Sequence, residues 1–336
     1  MRKRIHWLLI AGVLLVVQLT VILIAFRNRE NERNSADIAV SNEDSPAPNP
    51  RLKRRILGND EPFIFIGGFP LSGLNLMRVL LDAHPDIRCY EETSLIPQML
   101  AMRAELAKDG YSVRFNMNRI SQTMLDDAFS ALILETIRIH GPLAERLCNR
   151  EQLSTLFLPI LSRMFPNSKH ILMIRDARAT IHSFLERGGQ IFGVNQTTKE
   201  MLLDNWNYYV TQMVEECSKA KEICLKVYYE RLVQRPSEEL HRILQFLEVK
   251  WSNDVLNHHQ KIGSKIYLNQ VDVSSAKLKE KVNVNSLARW FDKFSEEFLQ
   301  NIDKAAPVLR KLGYNTSSFR PDYAEFALDN FHQEEL

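Results

Sequence analysis

The segment Phe63-Ile-Phe-Ile-Gly-Gly-Phe-Pro-Leu-Ser-Gly-Leu-Asn-Leu-Met77 decides the fold: an apolar run breaks into a Gly/Pro/Ser loop and resumes as an apolar helical pattern. A short run without alternation reads as a strand buried on both faces. Glycines after it let backbone N–H groups turn toward an anion at the next helix's N-terminus. Gly68 and Gly73 have the spacing of a phosphate-binding P-loop, but Leu74 and Asn75 stand where that loop carries its Lys and Ser/Thr. The groups that grip a terminal phosphate and hold Mg²⁺ are absent, which argues against an ATPase or GTPase loop. On this stretch alone, a strand-to-helix turn whose glycines serve only tight packing stays open.

Two more strand-like runs, His170-Ile-Leu-Met-Ile-Arg175 and Cys224-Leu-Lys-Val-Tyr-Tyr229, alternate with helical patterns at 76–83, 121–140, 198–220, 236–249 and 294–312. Strands alternating with helices predict an α/β fold with a central parallel sheet flanked by helices, in a single domain. The apolar face of 121–140 (Met124, Leu125, Phe129, Leu132, Ile133, Ile137, Ile139) is expected to be core. Ligands of such sheets sit beyond the carboxyl ends of the strands. The candidates are therefore Gly68 to Asn75, Arg175 with Arg178, and Tyr229-Glu230. Arg175 with Ser183 on the following helix suits a phosphate monoester, since Arg binds oxyanions bidentately; an ion pair of Arg175 with Asp176 is the alternative.

With 336 residues, 45% of them hydrophobic, and a net charge of +2, the chain can build one large core or two small ones. Near-neutral charge argues against general nucleic-acid binding, so any anion site must be local. Four cysteines, Cys89, Cys148, Cys217 and Cys224, show no metal-binding spacing. Trp7 to Phe26 carries no charge and is flanked by Arg2, Lys3, Arg4, Arg27 and Arg29. It reads as a signal-anchor helix long enough to span a bilayer. The expected order is a cytosolic tail (1–6), a transmembrane helix (7–26), a flexible polar stem (27–60), a lumenal domain (61–320) and a C-terminal tail (321–336). The basic run Arg51 to Arg55 in the stem is a solvated charge run or a processing site. Asn195 and Asn315 head sequons usable in a lumenal domain.

Several blocks then fall in one order: Phe63-Ile-Phe-Ile-Gly-Gly-x-Pro-x-Ser-Gly73, Leu76-Met-Arg-x-x-Leu-Asp-Ala-His-Pro-Asp86, Arg88-Cys-x-Glu-Glu-Thr93, Cys148-Asn149, Phe165-Pro-Asn-Ser-Lys169, Arg175-Asp-x-Arg-Ala179 and Leu312-Gly-Tyr314. From Pro62 to Tyr314 the chain resembles the tyrosylprotein sulfotransferases. The resemblance implies a P-loop-like sulfotransferase fold and a single-pass type II protein of the Golgi membrane that forms a homodimer. It also implies transfer of a sulfuryl group, without a metal, from 3′-phosphoadenosine-5′-phosphosulfate (PAPS) to tyrosines in acidic segments of secreted or membrane proteins. By the same resemblance Glu92 is the general base, Arg150 stands for the Lys that stabilises the transition state, and Ser274 joins them at the catalytic end. Arg175, Ser183, Arg187, Tyr229, Asn283 and Arg289 meet the nucleotide, and Ser72, Gly73, Leu74 and Asn75 form the 5′-phosphosulfate loop. Cys89 pairs with Cys148, and Cys217 with Cys224. Sequence alone does not choose between Glu91 and Glu92 as the base.

The departures concentrate in that loop. Where the family has Pro-Arg-Ser-Gly-Thr-Thr, this chain has Pro70-Leu-Ser-Gly-Leu-Asn75, losing an Arg and two hydroxyls. Ser94 and Gln98 stand where the family places arginines that meet the acidic acceptor. A binding or dimerisation partner with little turnover is the alternative these losses raise. Transfer to a carbohydrate is disfavoured by the Glu-Glu-Thr block.

Overall fold

Strand β1 (Ile64–Gly68) is buried along its whole length and lies at the centre of a five-stranded, all-parallel sheet. The order is β2-β3-β1-β4-β5, with β2 at Ile87–Tyr90, β3 at Arg146–Arg150, β4 at Lys169–Ile174 and β5 at Cys224–Tyr228. The structure is a computed structural model that describes residues 58–139, 141–187, 198–268 and 275–328. The expected membrane span, nearly all of the stem, Asn195 and Ser274 lie outside the described residues. Among the described residues no helix is long and apolar enough to cross a membrane.

Nine helices of the described residues are used below: α1 (Leu74–Asp82), α2 (Ile96–Glu105), α3 (Asp109–Met117), α4 (Gln122–Ile139), α5 (Leu158–Met164), α6 (Ala177–Leu185), α7 (Lys199–Lys219), α8 (Tyr229–Gln234) and α9 (Pro236–Phe246). The period-2 alternation of a strand sorts the sheet's side chains between two layers. Ile64, Ile66, Ile171 and Met173 pack with Leu80 of α1 and Ile243 of α9. Phe63 and Phe65 pack with Ile133 of α4 and Leu161 of α5, and Leu172 and Ile174 with Ile181 of α6 and Trp206 of α7. The chain runs from β1 to β2 on one side of the sheet and from β4 to β5 on the other, so the crevice of this topology opens between the neighbours β1 and β4.

The three strands legible as apolar runs are all present. Strands β2 and β3 were not expected: they are only four and five residues long and carry Arg88, Arg146 and Arg150. Cys89 and Cys148 lie opposite each other on these two strands and form a disulfide, and Cys217 bonds Cys224 at the start of β5. Both pairings agree with the resemblance.

Three expectations need correction. In α4, Ile133 and Ile137 are buried, but Met124, Leu132 and Ile139 are 56%, 50% and 69% exposed. The buried stripe passes instead through Asp126 and Ser130, and Asp126 is neutralised there by Arg103 at 2.7 Å and Arg163 at 3.1 Å. The pattern at 294–312 forms three short helices, the last opening at Pro307, which has no N–H to continue the one before. The folded body also continues past residue 320. Tyr323 and Phe326 are buried, and the Tyr323 hydroxyl donates to Asp176 Oδ2 at 2.9 Å.

Burial holds His170, stacked on Phe65, with its pKa down at about 4. Its share of stability is therefore complete above the ordinary value near 6.5 and is lost as pH falls toward 4. Glu230, pushed up to about 7 by burial, acts in the opposite sense: its share is present below about 4.5 and lost as pH rises through 7. Replacing His170 by Phe keeps an aromatic stack and removes the titration. Urea titrations of the two proteins are expected to show the variant gaining stability on wild type as pH drops from 6.5 to 4.

Candidate active site

The crevice holds a cavity of about 390 Å³. Its floor is the turn from β1 into α1, where Leu71 takes φ +66° and Gly73 φ +102°. At Gly73 a glycine is required twice over, by its positive φ and because a Cβ there would lie 2.5 Å from Tyr229 Cδ2. Gly73→Ala should lose about 1–3 kcal/mol of stability in denaturant titration and widen the floor by displacing Tyr229. The hydroxyl of Ser72 beneath the turn is buried with no hydrogen-bond partner. Ser72, expected in the 5′-phosphosulfate loop, is 1% exposed and packs its hydroxyl toward Gly68, so it does not line the cavity as Leu71, Gly73, Leu74 and Asn75 do.

Arg175 leaves the end of β4 and lies 4.4 Å from the centre of the Tyr229 ring. It donates through Nη1 to the Leu71 carbonyl at 3.0 Å and to Ser183 Oγ at 3.4 Å, while its Nε–H is buried and unbonded. The alternative pairing with Asp176 is not formed. Asp176 caps α6 and binds Arg178 bidentately, with 2.7 Å between Arg178 Nη2 and Asp176 Oδ2, so Arg178 is structural and Arg175 faces the cavity. The Tyr229 hydroxyl meets Ser286 Oγ at 2.5 Å, tying the segment after residue 275 to the sheet.

The two glutamates that follow β2 separate. Glu91 turns to the buried Arg78, 3.0 Å away, which also donates to the carbonyls of Cys89 and Tyr267. Glu92 faces the cavity. Its Oε2 accepts from Arg150 Nη1 and from Gln152 Nε2, the latter at 2.9 Å, and its Oε1 accepts from Ser94 Oγ at 3.4 Å. The turn is pinned by buried Glu151, which accepts from Thr93 N, Thr93 Oγ1 and Ser94 N at 2.6–3.1 Å. Burial raises the Glu151 carboxyl above the usual carboxylate range.

The cavity wall thus brings together Gly73, Leu74, Asn75, Glu92, Arg150, Arg175, Ser183, Arg187, Tyr229, Asn283 and Arg289. Arg289 sits 3.3 Å from Glu186, and Asn283 Oδ1 caps the Asn285 N–H at 3.1 Å. Asn315 is exposed. Gln152, Lys277, Lys281 and Ser286 line the wall as well and were not foreseen. Gln152 follows a strand the pattern hid, and the stretch from 275 to 289 has no periodicity to place it. Six cationic side chains on the wall, Arg150, Arg175, Arg187, Lys277, Lys281 and Arg289, face two carboxylates, Glu92 and Glu280. The site is built for a multiply charged anion beside one free-edged carboxylate. Among the described residues no cluster could hold a metal ion.

Residues 62–253 match the model of the Sulfotransferase family. Protein-tyrosine sulfotransferase A of Caenorhabditis elegans is 39% identical over 270 residues, covering 79% of this chain and 70% of that protein. Protein-tyrosine sulfotransferase 2 of Gallus gallus is 38% identical over 279 residues, covering 81% and 75%. Among solved structures, the sulfotransferase domain from the curacin biosynthetic pathway superposes with a TM-score of 0.55 at 19% identity, covering 76% of this chain and 98% of that domain. That likeness concerns the fold.

Proposed function

The chain belongs to the protein-tyrosine sulfotransferase family, and from that premise we propose that it transfers a sulfuryl group from PAPS to tyrosine hydroxyls of secretory-pathway proteins, with Glu92 as general base. The observation that carries this reading is the pairing, in one cavity, of six cations with a carboxylate that faces inward. The donor's chemistry fits the residues present. Arg175 and Ser183 suit its 3′-phosphate, with Arg187 and Arg289 near them on the wall. Tyr229 offers a ring, and the turn from Gly73 to Asn75 at the start of α1 suits the 5′ end. When bound, the donor supplies an activated sulfuryl group.

Glu92 then accepts the phenolic proton, which a hydroxyl of pKa about 10 holds tightly near neutral pH. The phenolic oxygen forms the new bond to sulfur, and the bond from sulfur to the donor's phosphate breaks with its electron pair on that phosphate. Arg150 spreads the charge that develops between them. Two disulfides and the uncharged stretch 7–26 support a Golgi, type II placement, and a homodimer is carried with the family. Leu71 favours a second reading, a partner that binds nucleotide or peptide with little turnover, because it puts an apolar side chain where the loop needs charge. The acceptor test incubates the full chain with labelled PAPS and a mixture of tyrosine peptides and glycans. Label recovered as tyrosine sulfate is the expected result. Label on sugar alone overturns the acceptor assignment, and no label with intact nucleotide binding favours the second reading.

A further inference from the structure

The two oxygens of Glu92 are not equivalent. Oε2 receives both Arg150 Nη1 and Gln152 Nε2, whereas Oε1 has only the 3.4 Å contact from Ser94 Oγ, at the limit of a hydrogen bond. Two donors fill the in-plane positions of Oε2, so a phenolic proton finds its acceptor at Oε1. Resting on the proposed transfer to tyrosine, we infer that Oε1 of Glu92 takes the proton and that Gln152 is a positioning residue that fixes this oxygen toward the cavity through its bond to Oε2.

The need for Gln152 beside Arg150 follows from charge. Arg150 is 6% exposed, and the part of it that is open lines the cavity beside Glu92. An anionic sulfuryl group entering the cavity competes with Glu92 for that guanidinium. The Gln152 amide is neutral and is drawn far less, so it keeps Oε2 in place while Arg150 turns to the developing charge. Both residues that follow β3 serve the same turn: Glu151 pins the backbone of Thr93 and Ser94, and Gln152 pins the Glu92 side chain. The carboxylate is held from a strand end rather than from its own loop.

The test compares Gln152→Ala, Gln152→Lys and Gln152→Glu in the full chain, with PAPS and a tyrosine peptide. Gln152→Ala is expected to lower kcat by about 10- to 10²-fold and to leave the donor KM within about two-fold of wild type. Gln152→Lys, which returns an N–H donor to Oε2, recovers part of the loss. Gln152→Glu, nearly isosteric but facing Glu92 with a second carboxylate, falls at least as far as Ala. An unchanged kcat in Gln152→Ala, or a raised donor KM with kcat intact, overturns the positioning role. Crystal structures read the same claim without turnover: Glu92 displaced in Gln152→Ala supports it, and Glu92 unmoved overturns it. If wild type itself transfers nothing, the proposed activity fails while that structural comparison still decides the role of Gln152.

Discussion

Glu92→Gln is expected to lower sulfate transfer to tyrosine by about 10²- to 10⁴-fold, with binding of 3′-phosphoadenosine-5′-phosphate unchanged. The amide is nearly the shape of the carboxylate, and its oxygen can still accept from Arg150 and Gln152, so the wall keeps its form. What disappears is a group able to take the phenolic proton. In the proposed reading nucleotide affinity is carried elsewhere, by Arg175 and Ser183 at the β4 end and by Tyr229 at the β5 end, and none of them touches Glu92 by a hydrogen bond. Initial rates and calorimetry on the same preparation separate the two quantities. Loss of nucleotide binding in Glu92→Gln would instead make the residue part of the donor site.

Leu71→Arg is expected to raise the rate by about 10²- to 10³-fold. The backbone there already sits at φ +66° with a branched side chain, so the exchange adds no conformational strain. The Leu71 carbonyl is held by Arg175 at 3.0 Å, which keeps the turn in place while the new guanidinium reaches the cavity that Leu71 lines. Leu71 is partly buried against the core cluster around Phe69, so a small loss of stability accompanies the gain. A rate left at the wild-type level would mean that Lys277 and Lys281, on the same wall, already supply the missing charge. A kcat increase at constant donor KM would place the new charge on the transition state rather than on the bound nucleotide.

Much of the fold can be read from Phe63–Met77 because β1, buried on both faces, has no polar residue to disguise it; β4 keeps an apolar run after Lys169 and His170, and β5 is interrupted only by Lys226. Strands β2 and β3 escape the same reading. Arg88 and Arg150 take their places there through long-range partners, the Lys265 carbonyl at 2.6 Å and Glu92, that no local window contains. The choice between Glu91 and Glu92 is hidden for the same reason: Arg78 draws Glu91 aside, and Arg78 lies 13 positions away in the chain. Asp176 presents the converse case. Its partner is two residues on at Arg178 rather than adjacent at Arg175, because the N-cap of α6 turns the carboxylate that way. Gln152, Lys277 and Lys281 carry no periodic or motif signal, and only the closing of the crevice by the segment after residue 275 assembles them.

A single turnover with the full chain in excess over labelled PAPS addresses the central claim most directly, because even a slow enzyme then reports its chemistry. The account predicts label on tyrosine oxygen in a mixed peptide pool, absent above background in Glu92→Gln. Equal label in wild type and Glu92→Gln, or none in wild type although the nucleotide is bound, would contradict it.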